Sequence, residues 1–205
     1  MAFMKWVAGA AALGAAMLVS LFTPSAQAAY IVALTQQGSN VVATGSGTID
    51  LAGLSSYAVG TDRANVAPFG GGIATGPATP VPMDLYTGVT GPTSFGSGGE
   101  TLASSGSGDI VALYGLSQFL EVPAGYASGN PLSDTATYDN QTFASFDATP
   151  GTYVWTWGSG ADADSFMLQI GGPASSVPEP ATALLFGIPL AVLVLARRNL
   201  TPKFR

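Results

Sequence analysis

Thr149-Pro150-Gly151-Thr152-Tyr153-Val154-Trp155-Thr156-Trp157, followed after a polar loop by Ser165-Phe166-Met167-Leu168-Gln169-Ile170, decides the fold class. Side chains on a strand alternate between the two faces of a sheet. Tyr153, Trp155 and Trp157 therefore share one face, and Val154 and Thr156 take the other. On the second segment Phe166, Leu168 and Ile170 share a face. A helix would need apolar residues three and four apart, which this period-two pattern does not supply. Thr149-Pro150-Gly151 is a turn, because proline presets φ and glycine tolerates positive φ. The two segments form a β-hairpin whose broad aromatic face pairs across the strands.

The same period extends outward. Tyr30, Val32 and Leu34 share a face of a strand at Tyr30 to Gln36, and Gln37-Gly38-Ser39-Asn40 is a turn. In Val41 to Leu51, the residues Val41, Ala43, Ile49 and Leu51 share a face, with Gly45 and Gly47 between them. Those glycines mark a bulge or a close backbone approach. Between Leu54 and Thr93, short strands are expected near Tyr57, Ile73 and Met83 to Tyr86. Gly70-Gly71-Gly72 lacks the following helix and lysine of a phosphate loop, so it reads as a plain loop. Phe95 to Gly108 is Gly/Ser-rich and reads as a long loop. Asp109 to Tyr114 and Phe119 to Val122 read as strands, and Pro123 to Ser133 as a loop. Thr135 to Phe146 fits a strand, a helical turn or both. The expectation is an all-β domain, a single sandwich or jelly roll spanning residues 29–176.

Composition narrows the function classes. The 205 residues suit one domain plus targeting segments. The 27 glycines and 14 prolines disfavour a helical fold. Neither cysteine nor histidine occurs, which removes disulfides, Ser-His-Asp and Cys-His catalysis, and imidazole or thiolate metal sites. Between Ala29 and Ser176 there are eleven acids and one base, Arg63, a net charge of −10. Such a domain repels phosphate backbones, so no nucleic-acid partner is expected. No cofactor is implied.

The two ends carry targeting signals. Residues 1–28 read as a secretory signal peptide: Lys5, an apolar run from Trp6 to Phe22, then Ala26-Gln27-Ala28 as an A-x-A site for signal peptidase. Ala26 and Ala28 are the small residues that the peptidase pockets require. An uncleaved N-terminal anchor is the alternative. At 177–205 the chain runs Val177-Pro178-Glu179-Pro180, then Ala181 to Ala196 without a charge, then Arg197-Arg198. The prolines make a stiff extended segment. The apolar run gives about 24 Å of helix, a little short of a bilayer core of about 30 Å, and Pro180 and the arginine stems can extend it. The basic end should stay in the cytoplasm.

This order and spacing resemble the PEP-CTERM protein-sorting tail, also called the ice-binding protein C-terminal domain. The resemblance implies that Pro178, Glu179 and Pro180 are read by an exosortase, that Ala181 to Ala196 is a transmembrane helix, and that Arg197 and Arg198 stop transfer. It further implies a bacterial envelope with an exopolysaccharide, an inner-membrane intermediate, and a destination at the cell surface or in the extracellular matrix. An ordinary C-terminal membrane anchor is the plainer reading. Thr149-Pro150-Gly151-Thr152-Tyr153, Trp155, Trp157-Gly158 and the Phe166 to Gly171 strand also look like a β-rich exported domain found upstream of such tails. That likeness speaks to fold and not to activity.

Three constellations are candidates for chemistry. Tyr153, Trp155 and Trp157 could stack on sugar rings, or could be the sandwich core. Asp162 and Asp164, one residue apart, could share calcium, or could simply keep a turn polar. Glu100, Glu121 and several aspartates of the exported domain could act on a glycosidic bond, although no motif selects a pair. A non-enzymatic structural protein is the leading expectation, and a carbohydrate-binding module for the exopolysaccharide is the alternative.

Overall fold

The computed structural model describes residues 29–171, and the signal-peptide and sorting-tail readings lie outside them. Among the described residues there are thirteen strands and no α-helix. In chain order they are β1 (Ala29–Gln37), β2 (Asn40–Gly47), β3 (Ser55–Asp62), β4 (Asn65–Ala67), β5 (Gly72–Thr75), β6 (Val81–Thr87) and β7 (Thr101–Leu102). Then follow β8 (Ser105–Gly108), β9 (Val111–Tyr114), β10 (Phe119–Pro123), β11 (Leu132–Tyr138), β12 (Gly151–Trp157) and β13 (Asp164–Ile170).

The strands make two sheets, a six-stranded one ordered β12-β13-β1-β2-β11-β8 and a seven-stranded one ordered β3-β6-β10-β9-β5-β4-β7. Their inner faces share one core. Tyr30, Val32, Leu34, Val41, Trp155 and Phe166 come from the first sheet, and Val66, Ile73, Leu113, Leu120 and Val122 from the second. This is an all-β, sandwich-like arrangement, in which each sheet buries one apolar face against the other. The hairpin expected from Tyr153 and Phe166 is present as antiparallel β12 and β13. The opening hairpin is β1 and β2, closed by a turn at Gly38-Ser39. β1 also pairs in parallel with β13, so the first and last strands are neighbours.

Some expectations need correction. The strand read from Val41 to Leu51 ends at Gly47, whose φ of 139° and contact with the Ala29 carbonyl leave no room for a Cβ. The Gly/Ser stretch from Phe95 to Gly108 is not one long loop, since it contains β7 and β8. Its small residues serve close approach, because a Cβ on Gly106 would collide with the Gly76 carbonyl. Thr135 to Phe146 resolves into the end of β11 followed by turns.

The seven-stranded sheet is strongly curled. β3 and β4 lie five steps apart in its order, or about 24 Å at the usual strand spacing. Only Arg63 and Ala64 join Asp62 to Asn65, a reach of at most about 11 Å. The β3–β6 ribbon must therefore fold back over the sheet face that points away from the main core. A second small cluster sits there, made of Met83, Leu85 and Ile110 with Val81 and Phe119 against them. Tyr57 stacks on Phe119 with ring centroids 5.3 Å apart.

Candidate functional site

The aromatic strand is core. Trp155 is fully buried and Trp157 is 4% exposed. Each indole N–H donates to a backbone carbonyl, Trp155 to Pro92 at 2.7 Å and Trp157 to Asp50 at 2.7 Å. Trp155 meets Phe166 edge-on, with centroids 5.9 Å apart. Tyr153 is half-buried, packs against Phe95, and donates its hydroxyl to the Thr149 carbonyl. A sugar platform needs accessible ring faces, and the two tryptophans present none. The glycan-contact expectation for Trp155 and Trp157 is corrected on that ground.

Asp162 and Asp164 do not act as a pair. Asp162 is exposed, at the end of a short 3-10 turn, whereas Asp164 is buried. Both oxygens of Asp164 are engaged, accepting from the Asp50 and Ser165 backbone N–H groups at 2.6 Å each. Burial pushes its carboxyl up to about 6 against those two bonds. The pair is thus a loop anchor and an exposed acid, which does not fit a shared cation. Among the described residues no group of three or more acids, histidines or cysteines is placed to hold a metal.

Glu100 is exposed just before edge strand β7, four strands from Glu121 in β10. The two make no catalytic pair. Glu121 instead belongs to a cluster that the curl assembles from four strands. It lies between core residues Leu120 and Val122, so it points to the opposite face, and it is only 5% exposed. There it lies beside the Asp62 carboxyl at the end of β3. The Tyr114 hydroxyl donates to Asp62 Oδ2 at 2.8 Å, and Asn65 Nδ2 donates to that hydroxyl at 2.8 Å. The Arg63 backbone N–H donates to Asp62 Oδ1 at 2.8 Å. Glu121 Oε2 and Asn65 Oδ1 are buried without a hydrogen-bond partner. Burial, then the charge of Asp62 and its hydrogen bond, push Glu121 up to about 8. The same burial and the Asp62 charge raise the Tyr114 hydroxyl. Two carboxyls set side by side are too close to flank a glycosidic bond, which needs at least about 5 Å between them.

A second polar group lies inside the sandwich. The Tyr30 hydroxyl donates to Asp134 Oδ2 across Gly45, which has no space for a side chain. Asp134 is 3% exposed, and burial pushes it up to about 6 while its hydrogen bonds pull it down. Asp134, Asp62, Asn65 and Tyr114 were not candidates from sequence. Asp134 alone had a local signal, since it shares its strand parity with Leu132, Ala136 and Tyr138, all buried.

Comparison of the chain with protein-family models, with curated proteins and with solved structures found no match.

Proposed function

We propose that this is an exported cell-surface or extracellular-matrix protein with a structural, non-enzymatic role, processed by an exosortase through its PEP-CTERM tail. The observation that carries the reading is the conjunction in one chain of the Ala26-Gln27-Ala28 site, Pro178-Glu179-Pro180, the uncharged run from Ala181 to Ala196, and Arg197-Arg198. A signal peptide at 1–28 threads the chain outward, and a transmembrane helix in 177–205 retains it until processing. The single exported domain, sandwich or jelly roll in its finer topology, stands between them.

The character of the domain supports a structural role. It lacks histidine and cysteine, and its three buried acids sit in the packing of the fold: Asp164 anchors a loop, Asp134 ties Tyr30, and Glu121 lies beside Asp62 on the outer face of the curled sheet. The exopolysaccharide-binding alternative loses its stacking surface with the burial of Trp155 and Trp157.

The test is the intact mass of the protein recovered separately from membrane and medium of its producing cells. The expected product starts at Ala29, ends near Val177 to Pro180, and is found outside. Recovery only from the membrane, with Ala181 to Arg205 still attached, would make the tail a permanent anchor and end the exosortase reading.

A further inference from the structure

We propose that Asp62 and Glu121 form a binding site for a hard divalent cation, calcium by preference, with Asn65 and Tyr114 beside it. The argument starts from donor chemistry. With no histidine or cysteine, the chain offers only oxygen ligands of the kind that suit calcium or magnesium. The curl then brings two carboxyls, an amide and a phenol together from β3, β10, β4 and β9.

Two oxygens in this group lack a donor. Glu121 Oε2 belongs to a side chain 5% exposed, and Asn65 Oδ1 to one 1% exposed. Buried acceptors without partners are uncommon, because each has given up its hydration with nothing in exchange. A bound cation would give the Glu121 oxygen the partner it lacks and would sit against the neighbouring Asp62 carboxyl. Asn65 is fixed by its Nδ2 bonds to Tyr114 Oη and to the Arg63 carbonyl, which leaves Oδ1 as its free acceptor. Each Asp62 oxygen already accepts one hydrogen bond and keeps a second lone pair for a cation; calcium tolerates such an irregular oxygen set more readily than magnesium, which demands near-ideal octahedral geometry. With two carboxylates in the site, the affinity expected is that of extracellular modules, about 10⁻⁴–10⁻³ M. The cation would lock the end of β3 to the middle of the sheet, strengthening the curl outside the cell, where calcium is abundant.

The experiment is isothermal titration of the purified full chain in detergent, freed of metal by chelator, with CaCl2 at constant ionic strength near neutral pH. A thermal melt with and without CaCl2 runs alongside. The expected result is saturable binding with a raised melting temperature, and binding at least about tenfold weaker in Glu121→Gln and Asp62→Asn. Asp162→Asn is expected to bind as the wild type does. Glu121→Gln is isosteric, and its melt in chelator reports whether it folds. Absence of saturable binding in the wild type would overturn the proposal. So would equal binding in Glu121→Gln, or loss of binding in Asp162→Asn alone.

Discussion

Replacing Trp155 by alanine tests whether the aromatic strand is core. The side chain is fully buried between the sheets. Truncating a buried tryptophan or phenylalanine costs about 3–5 kcal/mol, the larger values arising where neighbours cannot collapse into the void. Here the ring is walled by backbone: a Cβ on Gly91 or on Gly115 would run into the indole. Those walls belong to chain held by other bonds, such as Gly115 N–H to the Gly71 carbonyl, so the void stays open. The Pro92 carbonyl also loses its donor, adding about 1 kcal/mol. The expected loss is therefore about 4–6 kcal/mol, comparable to the whole stability of a marginal domain. Urea unfolding followed by circular dichroism measures it, with Val154→Ala on the outer face as the control, expected to lose under about 1 kcal/mol. A loss below about 1 kcal/mol for Trp155→Ala, with unchanged denaturant slope, would refute the core assignment. Lost glycan binding at unchanged stability would do so as well.

Other outcomes follow from the buried polar groups. Gly45→Ala places a methyl where the Tyr30 hydroxyl and Asp134 Oδ1 sit, and should cost about 1–3 kcal/mol in a chemical melt; a neutral variant would mean that pair yields freely. Tyr30→Phe leaves Asp134 without its buried donor and should destabilise by about 1–3 kcal/mol near neutral pH, which the same melts would detect. Asp134 binds its proton more tightly in the folded state, with a carboxyl raised from an ordinary 3.8 to about 6. Its favourable contribution is thus fully present below 3.8 and is lost as pH rises to about 6. Wild-type stability should fall across that window relative to Asp134→Asn; parallel pH profiles of the unfolding midpoint would count against it.

Much of the sandwich was legible because its strands repeat every two residues. Tyr30, Val32 and Leu34 are all fully buried, and Phe166, Leu168 and Ile170 sit in the same core. β4 and β7 were not legible, since three and two residues are too few to show a period. β8 was misread because Ser105-Gly106-Ser107-Gly108 has the composition of a loop, while tight packing on Gly76 is what requires it. The carboxyl cluster was invisible for another reason. Asp62 and Glu121 are far apart in sequence, and only the curl forced by the short Arg63-Ala64 link makes them neighbours. The aromatic face could be placed on a strand, but whether Trp155 and Trp157 faced solvent depended on a second sheet that no local pattern announces.

The parallel pairing of β1 with β13 has a mechanical consequence. Ala29 lies opposite Ser165 and Leu34 opposite Ile170, so the two strands run the same way. Tension applied at the start of β1 and the end of β13 slides them past each other lengthwise. Every hydrogen bond of that ladder then bears load together, including Gly171 N–H to the Leu34 carbonyl, instead of parting one at a time as in an unzipping hairpin. A chain held at both ends would resist extension at these two strands first, and it would give way abruptly, not gradually.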